Sequence, residues 1–127
     1  MVIFLILASM NFIIRKEENY SCIKVLRDHL DSFVSPDLKV ELVLLSNSQE
    51  RNIILDLSDC NYCDSSGLSA ILVGNRLCED TEGTFIICNL SQNVEKMIKL
   101  AMLDSILLIA SNLEEAEKIL FEKSLSE

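Results

Sequence analysis

Three short runs of apolar residues constrain this chain more than any other feature: Ile53 to Leu57 (IILDL), Thr84 to Cys88 (TFIIC) and Ile106 to Ala110 (ILLIA). Each is about a strand in length: the first reads as a strand covered on both faces, the second as the next buried strand and the third as a last strand. Segments of helical spacing separate them. Leu68 to Leu77 is an apolar helix ending in Glu79-Asp80, and Ser91 caps a helix with Val94, Met97, Ile98 and Ala101 at steps of three and four. Ser111-x-x-Glu114 is a capping box opening a last helix, with Leu113, Ala116 and Leu120 on its inner face. Buried strands alternating with amphipathic helices build parallel β-α-β units with right-handed crossovers.

Upstream, Phe12 to Arg15 and Tyr20 to Leu26 read as two strands joined by the charged Lys16-Glu17-Glu18-Asn19. Ser35-Pro36 reads as an N-cap and first helical residue, followed by a stripe of Leu38, Leu42 and Leu45. The expected class is therefore α/β: one domain, a mostly parallel sheet of about five strands, and helices packed against it. A length of 127 residues, 50% of them apolar, suits one domain with a real core, and a single Pro and three unclustered Gly give no linker. The domain is expected over residues 10–127, preceded by an apolar extension, residues 1–9. Val2 to Ala8 is too short to span a bilayer and follows no Lys or Arg, as a signal peptide would. Met10 is an alternative start, and a membrane or secretory role for the extension is the competing reading. A cytoplasmic protein is expected.

Charge and residue counts narrow the function. Eleven Lys and Arg stand against 20 Asp and Glu, a net charge of −9, which argues against any direct nucleic-acid partner that requires phosphate neutralisation and suits contact with a basic protein surface. His29 is the single histidine, so any histidine-based catalysis passes through it. Five Cys at 22, 60, 63, 78 and 88, odd in number and irregular in spacing, match reduced thiols packed in a core. Cys60-x-x-Cys63 raises a redox or zinc role. The first requires a lowered thiol pKa at a helix start, and the second requires two further ligands. The sequence offers neither, and no metal or cofactor is expected.

One segment carries a chemical signal: Asp64-Ser65-Ser66-Gly67-Leu68, between a buried strand and a helix. Asp64 is placed as N-cap, its carboxylate taking the first free backbone N–H groups. Ser65 and Ser66 then fall in the first turn, where unpaired N–H groups and the helix dipole favour an anion. Gly67 admits a second backbone at close range. A phosphate on Ser65 would be compatible with that terminus yet lie beside Asp64, which suits a switch between neutral and charged states. The plainer alternative is a good cap and nothing more. Nucleophilic catalysis by Ser65 lacks a G-x-S-x-G elbow and a plausible base, since His29 lies in Asp28-His29-Leu30-Asp31. No P-loop pattern is present.

The stretch Asn52 to Ser58 (NIILDLS), then Tyr62-Cys63-Asp64-Ser65-Ser66-Gly67-Leu68, resembles the STAS domain of bacterial anti-sigma factor antagonists. In that family a buried strand ending in Asp-Leu-Ser leads through a short loop to Asp-Ser-Ser/Thr-Gly-Leu at a helix start. The resemblance runs from about Phe12 to Leu120 and takes in Leu30-Asp31, Ser91-Gln92-Asn93-Val94 and the Leu103-Asp104 region. It implies a non-enzymatic switch. The unphosphorylated domain binds a serine-kinase anti-sigma factor and frees the sigma factor; phosphorylation of Ser65 releases the domain, and a PP2C-type phosphatase resets it. Asp64, Ser65, Ser66, Gly67 and Leu68 are the implied docking residues. The Asp28-His29 preceding Leu30, the Cys60–Cys63 loop and the apolar extension depart from the family pattern. A constitutive subunit of a lipid-transport or signalling complex is the alternative within the same fold.

Overall fold

The computed structural model describes residues 5–126. Its elements in chain order are β1 (Leu5–Ala8), β2 (Phe12–Lys16), β3 (Ser21–Val25), β4 (His29–Leu30), α1 (Ser35–Asn47), β5 (Ile53–Asp56), β6 (Tyr62–Cys63), α2 (Ser65–Asp80), β7 (Phe85–Cys88), α3 (Gln92–Leu100), β8 (Leu108–Ala110) and α4 (Leu113–Leu125). The main sheet has the order β1-β2-β3-β5-β7-β8. β1, β2 and β3 are antiparallel neighbours, whereas β3–β5, β5–β7 and β7–β8 are parallel and their connections carry α1, α2 and α3. This is the expected α/β sheet. Its sixth strand comes from within the apolar N-terminal segment, pairing Leu5 with Lys16 through to Ala8 with Ile13; residues 1–4 lie outside the described part.

In β5 and β7 the consecutive apolar runs are explained by cover on both faces, whereas the run at the sheet edge is not so covered: Ile106, Leu108 and Ile109 are exposed and only Leu107 and Ala110 are buried. In β5, Ile53 and Leu55 join the core formed with Leu38, Leu42 and Leu45 of α1, Ala70 and Ile71 of α2, and Val94 and Ile98 of α3. Ile54, between them, points to the opposite face and packs with Ile86 and Cys88 against Ala116 and Leu120 of α4. Three helices thus cover one face and α4 covers the other. The strand's period of two then requires apolar residues at every position.

Several local expectations shift once side-chain partners are visible. Ser35 is not the cap of α1: it is the first helical residue, and its hydroxyl donates to the Asp31 carbonyl at 2.6 Å. The cap of α4 is Asn112 instead of Ser111, with its side chain accepting from the Glu115 amide at 2.8 Å. Glu115 reaches back to the Ser111 amide at 2.9 Å, so the reciprocal arrangement exists one residue further on than the sequence pattern suggests. Ile106 and Leu107 precede β8, and Ala101 ends α3 as an exposed C-cap, not as an inward-facing residue. Ser91 does cap α3, accepting from the Val94 amide at 3.1 Å.

Candidate functional site

At the carboxyl ends of the parallel strands, β5 finishes in Asp56, which is 9% exposed. Its Oδ1 accepts hydrogen bonds from the Ser58 amide and the Asn89 side-chain amide, each at 3.0 Å, which fixes the chain's exit from the sheet. The next segment is held by a small second sheet: β4 and β6 run parallel, pairing His29 with Tyr62 and Leu30 with Cys63. The Asp28 carbonyl accepts from the amides of Asn61 and Tyr62, and the Leu30 carbonyl accepts from the Asp64 amide at 3.2 Å. Two loops distant in sequence are thus bound together where α2 begins.

Asp64 is the N-cap of α2. Its Oδ1 accepts from the Ser66 hydroxyl at 2.6 Å and from the Gly67 amide at 3.0 Å. These bonds to the charged form, the Ser66 hydroxyl first and the Gly67 amide second, hold the Asp64 carboxyl below the usual carboxylate range; the Ser32 amide contributes from the neighbouring loop. The two serines consequently differ. Ser66 is half-buried, with its hydroxyl committed to Asp64 and lying 3.4 Å from that of Ser35. Ser65 is exposed. Of the two serines, Ser65 is the one open to solvent.

Gly67 is buried, and a Cβ there would lie 2.3 Å from the Leu30 carbonyl oxygen and 2.6 Å from Cys63 Sγ. Only glycine lets the β4 loop approach this closely, as the sequence suggested. Leu68 is half-buried and packs against the core. It anchors the helix start, so the exposed part of the motif is centred on Ser65. Ser35 and Tyr62 also build the site, the first through Ser66 and the second by pairing with His29, and sequence reasoning gave neither that role: nothing local marks a hydroxyl or a strand pair that reaches across from another loop.

His29 is exposed on β4, with Nδ1 3.4 Å from Asp28 Oδ2 and its ring centroid 5.4 Å from that of Tyr62. Its observed partners are thus an acid and an aromatic ring, with no serine among them. All five cysteines are free and buried. Burial raises the Cys60 thiol pKa and pushes that of Cys63 up to about 12, the reverse of what a reactive C-x-x-C needs. The Cys60 thiol donates to the Tyr62 carbonyl at 3.2 Å. Among the described residues, no group of three or more His, Cys, Asp or Glu is placed to hold a metal ion, and no helix is long and apolar enough to cross a membrane.

Comparison with known proteins agrees with this geometry. The STAS domain family model matches residues 11–116. A Bordetella bronchiseptica protein described as an anti-sigma factor antagonist, BtrV, is 27% identical over 94 residues, spanning 74% of this chain and 81% of that protein. A crystal structure of an anti-sigma factor antagonist from Thermotoga maritima superposes with a TM-score of 0.73 at 20% identity, covering 92% of this chain and 93% of that one. The Bacillus cell fate determinant SpoIIAA in its phosphorylated form superposes at 0.63 and 18% identity, over 92% of this chain and 99% of the other. In its unphosphorylated form SpoIIAA gives 0.68 at 18% identity, over 92% and 96%. From the match over most of its length, together with the sheet order and the Asp-Ser-Ser-Gly helix start, the chain belongs to the STAS domain family.

Proposed function

We propose that this chain is an anti-sigma factor antagonist switched by phosphorylation of Ser65. In its unphosphorylated form it docks, through the α2 start and the loops around it, onto a cytoplasmic serine-kinase anti-sigma factor and so frees a sigma factor. It is a substrate and ligand in this cycle, not an enzyme. The kinase transfers the γ-phosphoryl of ATP to Ser65 Oγ, forming an O–P bond as ADP leaves, and a PP2C-type phosphatase hydrolyses that bond to reset the chain. The observation that carries the proposal is the contrast between adjacent serines: Ser66 is tied to Asp64 and half-buried, while Ser65 is exposed on a helix start held by two loops. The names of BtrV and the SpoIIAA structures support it, the latter because SpoIIAA has the same fold in a phosphorylated and an unphosphorylated form.

Release follows from electrostatics. Phosphorylation adds close to two negative charges where none stood. A kinase that phosphorylates Ser65 must hold its nucleotide phosphates opposite this hydroxyl, so the product phosphate faces ADP with like charge, beside an already ionised Asp64. About 3 kcal/mol of differential affinity weakens binding by more than a hundredfold. The domain need not refold, because Asp64, not Ser65, caps the helix. The test is incubation with ATP and each serine-kinase anti-sigma factor of the source bacterium, followed by intact-mass and peptide mapping. One phosphate on Ser65, absent from Ser65→Ala, supports the proposal. Stable binding that neither adds a phosphate nor responds to Ser65→Asp would instead indicate a constitutive subunit of a larger complex.

A further inference from the structure

Resting on that proposal and extending it, we infer that Phe33 is the apolar anchor of the docking face. It would seat in a socket on the anti-sigma partner that is bordered by Lys or Arg side chains. Phe33 is 86% exposed. An exposed apolar side chain standing alone is ordinary, but the backbone that carries this one is held in a hydrogen-bonded turn beside the switch. Asp31 Oδ1 accepts the Phe33 amide at 3.0 Å, and the Asp31 carbonyl accepts from the amides of Val34 and Ser35 at 3.1 and 2.8 Å. Ser35, two residues after Phe33, meets Ser66. The same turn therefore carries the ring and braces the helix start, so little backbone ordering entropy remains to be lost when the ring is buried. Tyr62, 39% exposed and two residues before Asp64, gives the face a second aromatic.

Charge identifies the kind of partner. A hollow of about 400 Å³ next to the ring is lined by Asp28, His29, Asp31, Phe33 and Val34, with Arg27 as its cation. Asp28 is largely exposed. An apolar ring beside two carboxylates and one Arg, on a chain of net charge −9, is complementary to an apolar socket with basic edges. The ring is placed to supply binding energy, while the phosphate on Ser65 acts at the centre of the same interface.

The test uses full-length chains and each purified serine-kinase anti-sigma factor, comparing wild type, Phe33→Ala, Phe33→Leu, Ser65→Asp and Phe121→Ala. Phe121 is 63% exposed on α4, across the sheet, and serves as the control. Phe33→Ala is expected to raise Kd roughly 10- to 100-fold. It should also raise KM for phosphorylation of Ser65 with kcat within about twofold, a split expected when uniform binding is lost. Phe33→Leu recovers most of the loss, Phe121→Ala binds as wild type, and added salt weakens the wild-type complex. If Ser65→Asp releases the kinase but Phe33→Ala binds normally, the anchor is refuted and the switch stands. Salt-independent binding refutes the basic border. If no kinase binds the wild-type chain, the proposal and this extension both fall.

Discussion

Replacing Gly67 by Ala isolates the contact that joins the switch helix to the neighbouring loop. No glycine has a positive φ, so alanine fits the backbone at this position and the effect is one of contact alone. The added Cβ would lie 2.3 Å from the Leu30 carbonyl oxygen, 2.6 Å from Cys63 Sγ and 3.0 Å from Leu30 Cγ. Two of these are below any ordinary contact, and Leu30 is fully buried with its carbonyl bonded to the Asp64 amide. The loop must move, and forced overpacking of this kind costs about 1–3 kcal/mol. Alanine recovers part of that, at most about 1 kcal/mol, from its better helix propensity. With two contacts well under 3.0 Å, one of them to backbone, the upper part of the overpacking range, about 2–3 kcal/mol, applies, and the net loss is about 1–2 kcal/mol. In urea, with a slope of about 2 kcal/mol/M, the midpoint should fall by roughly 0.5–1 M at unchanged slope, and Tm by about 4–8 °C. Ser69→Ala, on the exposed side of the same helix, is the control and should be neutral or slightly stabilising. Binding should weaken as well, because the displaced loop carries Ser32 and Phe33. A Gly67→Ala chain as stable as wild type would refute the close approach on which the site's rigidity rests.

Other perturbations test separate links. Asp64→Ala removes the cap and should cost about 1 kcal/mol, whereas Asp64→Asn should retain most of that stability, as measured by urea unfolding at pH 7. The folded-state pKa of Asp64 is depressed, so its stabilising contribution is present above the ordinary carboxyl range near pH ~4 and disappears as pH falls through the folded value. The stability gap between wild type and Asp64→Asn should therefore close in acid; a gap that widens there would reverse the assigned sign. Ellman's reagent at pH 8 should react slowly with the folded chain and with all five thiols in denaturant, since Cys63, Cys78 and Cys88 are each pushed to about 12. Fast reaction of two thiols in the folded state would restore the redox reading of Cys60 and Cys63. We propose that a chain starting at Met10 retains the domain; it should unfold cooperatively but associate more readily, because removing β1 uncovers the edge of β2. Loss of cooperative unfolding would place residues 1–9 inside the folding unit.

The sequence made the sheet and the helix start legible for a physical reason: burial on both faces and the need to satisfy a helix's first amides each leave a mark on consecutive residues. Ile53 to Asp56, Phe85 to Cys88 and the Asp64–Gly67 cap lie within one to three residues of the patterns that identify them. What stayed hidden is made of contacts between segments. The β4 and β6 strands have two residues each, too short for any periodicity. Ser35 resembles a cap because serine so often is one, yet its hydroxyl is taken by the Asp31 carbonyl. At α4, Ser111 and Asn112 are both capping residues and Glu114 and Glu115 are both acids, so composition leaves two registers open and tertiary packing chooses the second. The exposure of Phe33 is invisible for the same reason: in sequence it is one more apolar residue before a helix.

The central claim is that a phosphate on Ser65 switches binding off. The most direct measurement is titration calorimetry of one purified kinase that binds the chain. It would be titrated with the unphosphorylated chain, the chain phosphorylated stoichiometrically at Ser65, and Ser65→Ala. The account predicts a hundredfold or greater loss of affinity for the phosphorylated chain, near-wild-type affinity for Ser65→Ala, and the same far-ultraviolet circular dichroism for all three. Equal affinity of the phosphorylated and unphosphorylated chains for that kinase would contradict it.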